Sequence, residues 1–203
     1  YDQLANRWLL SEFSSVSNRL CVFISMTGDP TVNQWYDDQV STPNFPDYPK
    51  YSVWPDAYYV TSNEVGGSPI YALDRASMLA GQTPATRQRF VTADLAGFGF
   101  QALTPADLGG STPPAAGEPA YFMRHRDDEV HNVGSNNASF DYLEIWTVEL
   151  DWVNSSNSVF SQLANVEVSE FDSDLCGLTS FFCFPQPGTT QTLDPLREVL
   201  MWR

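Results

Sequence analysis

Tyr1-Asp2-Gln3-Leu4-Ala5-Asn6-Arg7-Trp8-Leu9-Leu10-Ser11-Glu12-Phe13 sets a polar turn bearing an Asp before a short aromatic strand. The pattern returns as Trp54-Pro55-Asp56-Ala57-Tyr58-Tyr59-Val60-Thr61-Ser62-Asn63. It recurs more loosely as Gly117-Glu118-Pro119-Ala120-Tyr121-Phe122-Met123-Arg124-His125. Each copy leads into further strand-like runs bounded by Pro, Gly, Asn and Asp. A repeated unit of this kind cannot bury its apolar face alone, so the repetition predicts blades stacked about an axis.

Outward from the three copies, strand signals fall into groups of three. The first is 7–13, 20–25 and 34–40; the second is 57–62, 70–73 and 87–92; the third is 120–125, 142–152 and 159–168. Glu144, Glu149 and Asp151 fall on both parities of the long third-group strand, which predicts a bulge near Thr147 or Val148. Between the second group's last two strands, Asp74 to Gly81 reads as a short helix, with Asp74 capping its start and Gly81 ending it. No helix is long enough for a doubly wound α/β fold. The prolines gather in connectors at 42–49, 104–119 and 184–188, where no ladder bond is needed from them. A fourth group opens at Arg197–Trp202. The expected fold is all-β and propeller-like: three antiparallel blades, 1–46, 47–104 and 117–172, plus the start of a fourth, 193–203 onward. Strand-like segments at both ends read as part of a larger propeller, with other parts of the same polypeptide or neighbouring subunits covering the open strand edges.

Asp and Glu outnumber Lys and Arg by 25 to 10, giving a net charge of −15. Such a field repels phosphate backbones and anionic lipid, which argues against nucleic-acid binding and against peripheral membrane attachment. No apolar run approaches the ~18 residues of a spanning helix. Acidic surfaces suit extracellular settings and can hold Ca²⁺, a cation that takes oxygen ligands. Cys176 and Cys183 flank a short loop that a disulfide would close. Cys21 sits in an apolar strand and reads as a buried free thiol.

Three stretches, Tyr1–Phe13, Asp47-Tyr48-Pro49-Lys50-Tyr51-Ser52-Val53-Trp54-Pro55-Asp56-Ala57-Tyr58-Tyr59, and Cys183–Thr189 with 193–196, resemble a group of secreted bacterial β-propeller proteins. The resemblance implies an extracellular propeller with more blades than these. It carries over architecture and location and brings no reaction and no catalytic residue.

Five-bladed propellers of the arabinanase and sialidase-like type hydrolyse glycosides with funnel carboxylates, an acid on one side of the bond and a base or nucleophile on the other. The matching candidates are Asp56, Glu118 and Asp2, each just ahead of the first strand of its group. The competing reading is that each caps a turn by accepting backbone N–H bonds. The Ser-x-Asp-x-Gly-x-Thr-Trp box of sialidase blades is absent, as is a Gly-x-Ser-x-Gly elbow. Arg7, Arg124 and Arg203 occupy comparable strand positions, so they can meet an acidic ligand or neutralise those same carboxylates. Tyr58, with Trp35, Tyr36, Trp54 and Tyr59, can stack on sugar or fill the spaces between blades. His125 and His131 flank Arg126-Asp127-Asp128-Glu129, which reads as a solvated hairpin tip. There Asp127, Asp128 and Glu129 are the candidate Ca²⁺ ligands, although they lack the alternating spacing of a calcium loop. Asn137-Ala138-Ser139 and Asn154-Ser155-Ser156 are glycosylation sequons only in a eukaryotic host. Two functions remain in view. One is an extracellular, non-catalytic recognition or structural module of a secreted or cell-surface protein, possible in a filament and able to bind carbohydrate. The other is a propeller glycosidase.

Overall fold

The computed structural model describes residues 1–14, 16–96, 102–110, 112–131, 137–173, 176 and 182–194. Three antiparallel meanders follow one another along the chain. Sheet I has β1 (Leu9–Ser14), β2 (Arg19–Ser25) and β3 (Trp35–Ser41), in that order. Sheet II has β4 (Asp47–Val53), β5 (Ala57–Asn63), β6 (Ser68–Asp74) and β7 (Arg87–Thr92), again in chain order. The five-residue helix α1 (Arg75–Leu79) links β6 to β7, and Asp74 caps it by accepting from the Ala76 N–H at 3.0 Å. Sheet III contains β8 (Thr104–Pro105), β9 (Ala120–Arg126), β10 (Phe140–Glu149) and β11 (Val159–Ser169), with the one-turn helix α2 (Asp128–His131) between β9 and β10. A small hairpin, β12 (Phe184–Pro185) and β13 (Thr192–Leu193), follows. The chain is thus all-β with antiparallel sheets. Residues 195–203, which hold the expected fourth group, lie outside the described residues.

The sheets pack face to face because alternate side chains of a strand point to opposite faces. Tyr58 and Val60 of β5 join Tyr71 and Leu73 of β6 against Leu20, Val22, Ile24 and Val40 of sheet I. Their neighbours Ala57, Tyr59, Ile70 and Ala72 point the other way, onto Leu103, Ala120, Phe122 and Val148. Sheet II is therefore covered on both faces, and β5 is buried from Ala57 to Ser62. Each fully buried large side chain here stabilises the fold by roughly 1.5–3 kcal/mol. The β5–β6 turn needs glycine: Gly67 has φ +141°, and a Cβ on it would meet the Val91 side chain and the Thr92 carbonyl.

The chain departs from the sequence reading at four places. β4 lies inside what reads as a proline-rich connector. Pro49 is tolerated because β4 is an edge strand and its register with β5 slips between Asp47 and Lys50. Thr104 and Pro105 pair with β9, so they belong to sheet III rather than to the end of the second blade and the connector after it. The β10 irregularity falls between Ile145 and Trp146, just ahead of Thr147. Cys21 is free and only half-buried, because odd-numbered β2 residues point away from the core that Leu20, Val22 and Ile24 fill.

Candidate functional site

Between sheets II and III lies a groove of about 450 Å³. Its walls are the β4–β5 turn (Trp54, Pro55, Asp56), the Pro-rich run 113–119 leading into β9, and the end of β10 with Leu150. The turn is closed by Trp54 N–H to Ala57 C=O at 3.0 Å. Two indoles bind it to sheet III. Trp54 Nε1 donates to the Glu118 carbonyl at 3.4 Å, and Trp152 Nε1 donates to the Asp56 carbonyl at 3.2 Å. The Trp54 ring also meets Tyr121 edge-on, at 6.5 Å between centroids.

Asp56 and Glu118 both line this groove, and Glu149 joins them. The first two share a local device: the phenol three residues later reaches back to the carboxylate. Tyr59 OH lies 3.4 Å from Asp56 Oδ2, and Tyr121 OH donates to Glu118 Oε1 at 2.5 Å. Desolvation pushes the Asp56 carboxyl above its usual range, and the Asp74 charge adds to this. Hydrogen bonds from the local backbone and Tyr59 offset part of the rise. Glu118 and Glu149 are exposed. Among the described residues no Lys, Arg or His lines the groove. The lining combines four prolines and the largely buried Trp54 with three carboxylates, a surface suited to a hydroxyl-rich or cationic ligand.

Asp2, the third candidate, is elsewhere and fully buried. Arg75 grips it in a fork, Nε to Oδ2 at 2.7 Å and Nη2 to Oδ1 at 3.2 Å, and Tyr58 OH donates to Oδ2 at 2.6 Å. Burial works to raise its pKa, but Arg75, Tyr58 and the Ala5 N–H outweigh that and hold it below the usual carboxylate range. Tyr58 is itself fully buried, so neither it nor Asp2 faces the groove. Arg7 donates to the Ala5 and Asn6 carbonyls. Arg124 is buried against Glu144 (Nε to Oε2, 2.7 Å) and also holds Thr92 Oγ1 and the Ala93 carbonyl across the sheet interface. Of the three candidate carboxylates arginine thus pairs Asp2, through Arg75, while Arg124 and Arg126 hold Glu144, Arg89 holds Glu64 and Arg87 holds Asp38; Arg203 lies outside the described residues. Arg75 went unread because Asp74-Arg75 signals a helix start and carries no hint of a partner 73 positions away.

The segment after β9 corrects the solvated-tip reading. His125, Asp127, Asp128 and His131 are all buried, because their carboxylates staple the backbone inward. Asp127 accepts from Val130 N–H at 3.1 Å and from Ser173 N–H and Oγ at 2.8 and 2.7 Å. Asp128 accepts from Asn137 N–H, and Asp141 accepts from the Asp128 and Phe171 N–H groups at 2.8 and 3.0 Å. Asp127, Glu129 and Asp141 bring one oxygen each within 4.8 Å of one another. Their chemistry suits Ca²⁺, and the two buried carboxylates also hold backbone donors on both oxygens, so the cluster staples its own loop. Glu170, exposed beside it, is pushed upward by desolvation and by the charges of Asp141, Asp127, Asp128 and Asp172. His125 is held neutral, its pKa lowered to about 4 by burial and by neighbouring His131.

Cys176 and Cys183 form the expected disulfide, with Cα atoms 5.6 Å apart. Among the described residues no helix is long and apolar enough to cross a membrane. No family model, no curated protein and no solved structure matches this chain.

Proposed function

We propose that this chain is an extracellular, non-catalytic recognition module, built as blades of a β-propeller, and that carbohydrate binds in the groove between Trp54 and Glu118. The observation that carries the reading is the lining itself: Asp56, Glu118 and Glu149 share the groove with four prolines and the largely buried Trp54, with no cation among the described lining residues. Carboxylates accept sugar hydroxyls, and flat apolar walls take the C–H faces of a pyranose. Sheet II, covered on both faces by its neighbours, supports the blade reading. The disulfide is compatible with an oxidising exterior. The test is calorimetric titration of neutral oligosaccharides into the wild type, Asp56→Asn and Glu118→Gln. The expected outcome is saturable binding weakened about tenfold in each variant, in line with roughly 1.5 kcal/mol per hydrogen bond to a charged group. Absence of saturable binding across a neutral glycan panel would overturn it.

A glycosidase is the second reading, and one observation favours it: burial raises the pKa of Asp56, as a general acid requires, beside a second carboxylate in the same groove. Glycan turnover abolished by Asp56→Asn, with oligosaccharide still bound, would establish it in place of the first.

A further inference from the structure

The buried carboxylates of this chain divide into two sets. Among the described residues Asp2, Asp38, Glu64 and Glu144 each meet an arginine, at 2.7, 3.7, 3.5 and 2.7 Å. Asp127, Asp128 and Asp141 are as deeply buried, at 2%, 1% and 0% exposure, and among the described residues no Lys or Arg pairs with them. The sequence offers none nearby. From Asp127 to Leu196 the chain contains no Lys or Arg, and Arg126 turns to Glu144 at 3.5 Å. A buried charge is costly unless a counter-charge or a metal ion meets it.

We propose that the counter-charge is a Ca²⁺ ion held by Asp127, Glu129 and Asp141. One oxygen from each lies within 4.8 Å of the others, two on buried side chains and one on exposed Glu129, which gives the ion its way in from solvent. Asp127 Oδ1 and both Asp141 oxygens accept one N–H apiece, from Val130, Asp128 and Phe171, which leaves each a lone pair for a cation. A buried imidazole faces the same cluster. His125 stands two residues before Asp127, the spacing that puts side chains on one side of a strand. It is 8% exposed, and among the described residues its Nε2 has no hydrogen-bond partner. Its ring packs on Phe171 and His131, at 5.7 and 5.9 Å between centroids. Those two neighbours are tied to the cluster in turn: the Phe171 N–H donates to Asp141, and the His131 N–H to the Asp127 carbonyl. Burial and His131 lower the pKa of His125 while the Asp127 charge works against them, so the ring stands within the field of the cluster. Its unpartnered nitrogen is placed to hydrogen-bond a water of the ion's shell. Carboxylate oxygens in irregular geometry, with water retained, favour Ca²⁺ over Mg²⁺ and over softer metals. Asp141 and the groove's Glu149 lie at opposite ends of β10, so this site is separate from the groove and does not depend on what fills it.

Calorimetric titration of Ca²⁺ into the chelator-treated whole chain tests this. The variant is Glu129→Gln, because Glu129 is exposed and its change leaves the buried carboxylates and their backbone donors in place. The wild type should take up a single Ca²⁺ with a dissociation constant on the order of 0.1–1 mM, the range of extracellular modules. Glu129→Gln should bind at least about tenfold more weakly with an unchanged circular dichroism spectrum. The urea midpoint should rise with added Ca²⁺ in the wild type and far less in the variant. No saturable uptake up to about 10 mM, well beyond that range, would overturn the proposal. So would uptake indifferent to Glu129→Gln or matched by Mg²⁺, which reports the diffuse field of a −15 chain. Uptake lost in Glu149→Gln and kept in Glu129→Gln would place the ion in the groove and overturn it as well.

Discussion

Asp2, Asp56 and Glu118 occupy the same place in the repeat and meet three different fates. Asp2 is consumed by Arg75 and Tyr58, Asp56 is half-buried, and Glu118 is exposed on a groove. Removing one partner of a buried pair leaves the other uncompensated, so Asp2→Asn should cost about 3 kcal/mol, read by urea unfolding. The sign with pH follows from the lowered folded pKa of Asp2. Its contribution is complete above about pH 4, the unfolded value, and is lost as pH falls through the folded one. His125 acts in a higher window. Its folded pKa of about 4 lies below the unfolded 6.5, so the unfolded chain binds the extra proton, and stability falls as pH drops from 6.5 towards 4. A fall of that size corresponds to roughly 3 kcal/mol. Among the described residues His125 Nε2 has no hydrogen-bond partner, and the ring packs on Phe171. Replacing His125 with Phe should therefore flatten the unfolding free energy across that window; an unchanged slope would assign the acid sensitivity to another group.

At the scale of elements, most strands were legible because aromatic and β-branched runs stand between clear turn residues. Arg87–Thr92 matches residue for residue; β2, β5, β9 and β11 differ from their sequence bounds by one residue at one end, and β3 is shifted by one residue at both. β4 was hidden by its prolines, and β8 by its two-residue length; both are held by neighbouring strands rather than by their own propensity. The buried fold after β9 was illegible for a related reason. A run of Arg, Asp and Glu has the composition of solvent-facing chain, and only the donors at Val130, Asn137, Phe171 and Ser173 reveal why it turns inward. Two changes probe elements directly. Gly67→Ala, at φ +141° and against Val91 and Thr92, should destabilise sheet II by on the order of 2–3 kcal/mol in chemical denaturation. Reducing the Cys176–Cys183 disulfide should cost roughly 2–3 kcal/mol.

Over the whole molecule, the all-β class with antiparallel sheets was readable, and the two buried faces of sheet II emerge from packing. The groove was readable only in its parts. Asp56, Glu118 and Trp54 could each be singled out, but Glu149 and Trp152 come from a strand end and loop whose arrival beside the β4–β5 turn depends on how sheet III lies against sheet II. Their pairing is a property of packing, which no local pattern encodes. The most direct measurement is a neutral-glycan array probed with the intact chain, with the same wells assayed for released product. Retention on a restricted set of glycans, lost in Glu118→Gln and accompanied by no product, is the expected result. Product that disappears in Asp56→Asn, or no retention at all, would contradict non-catalytic recognition in this groove.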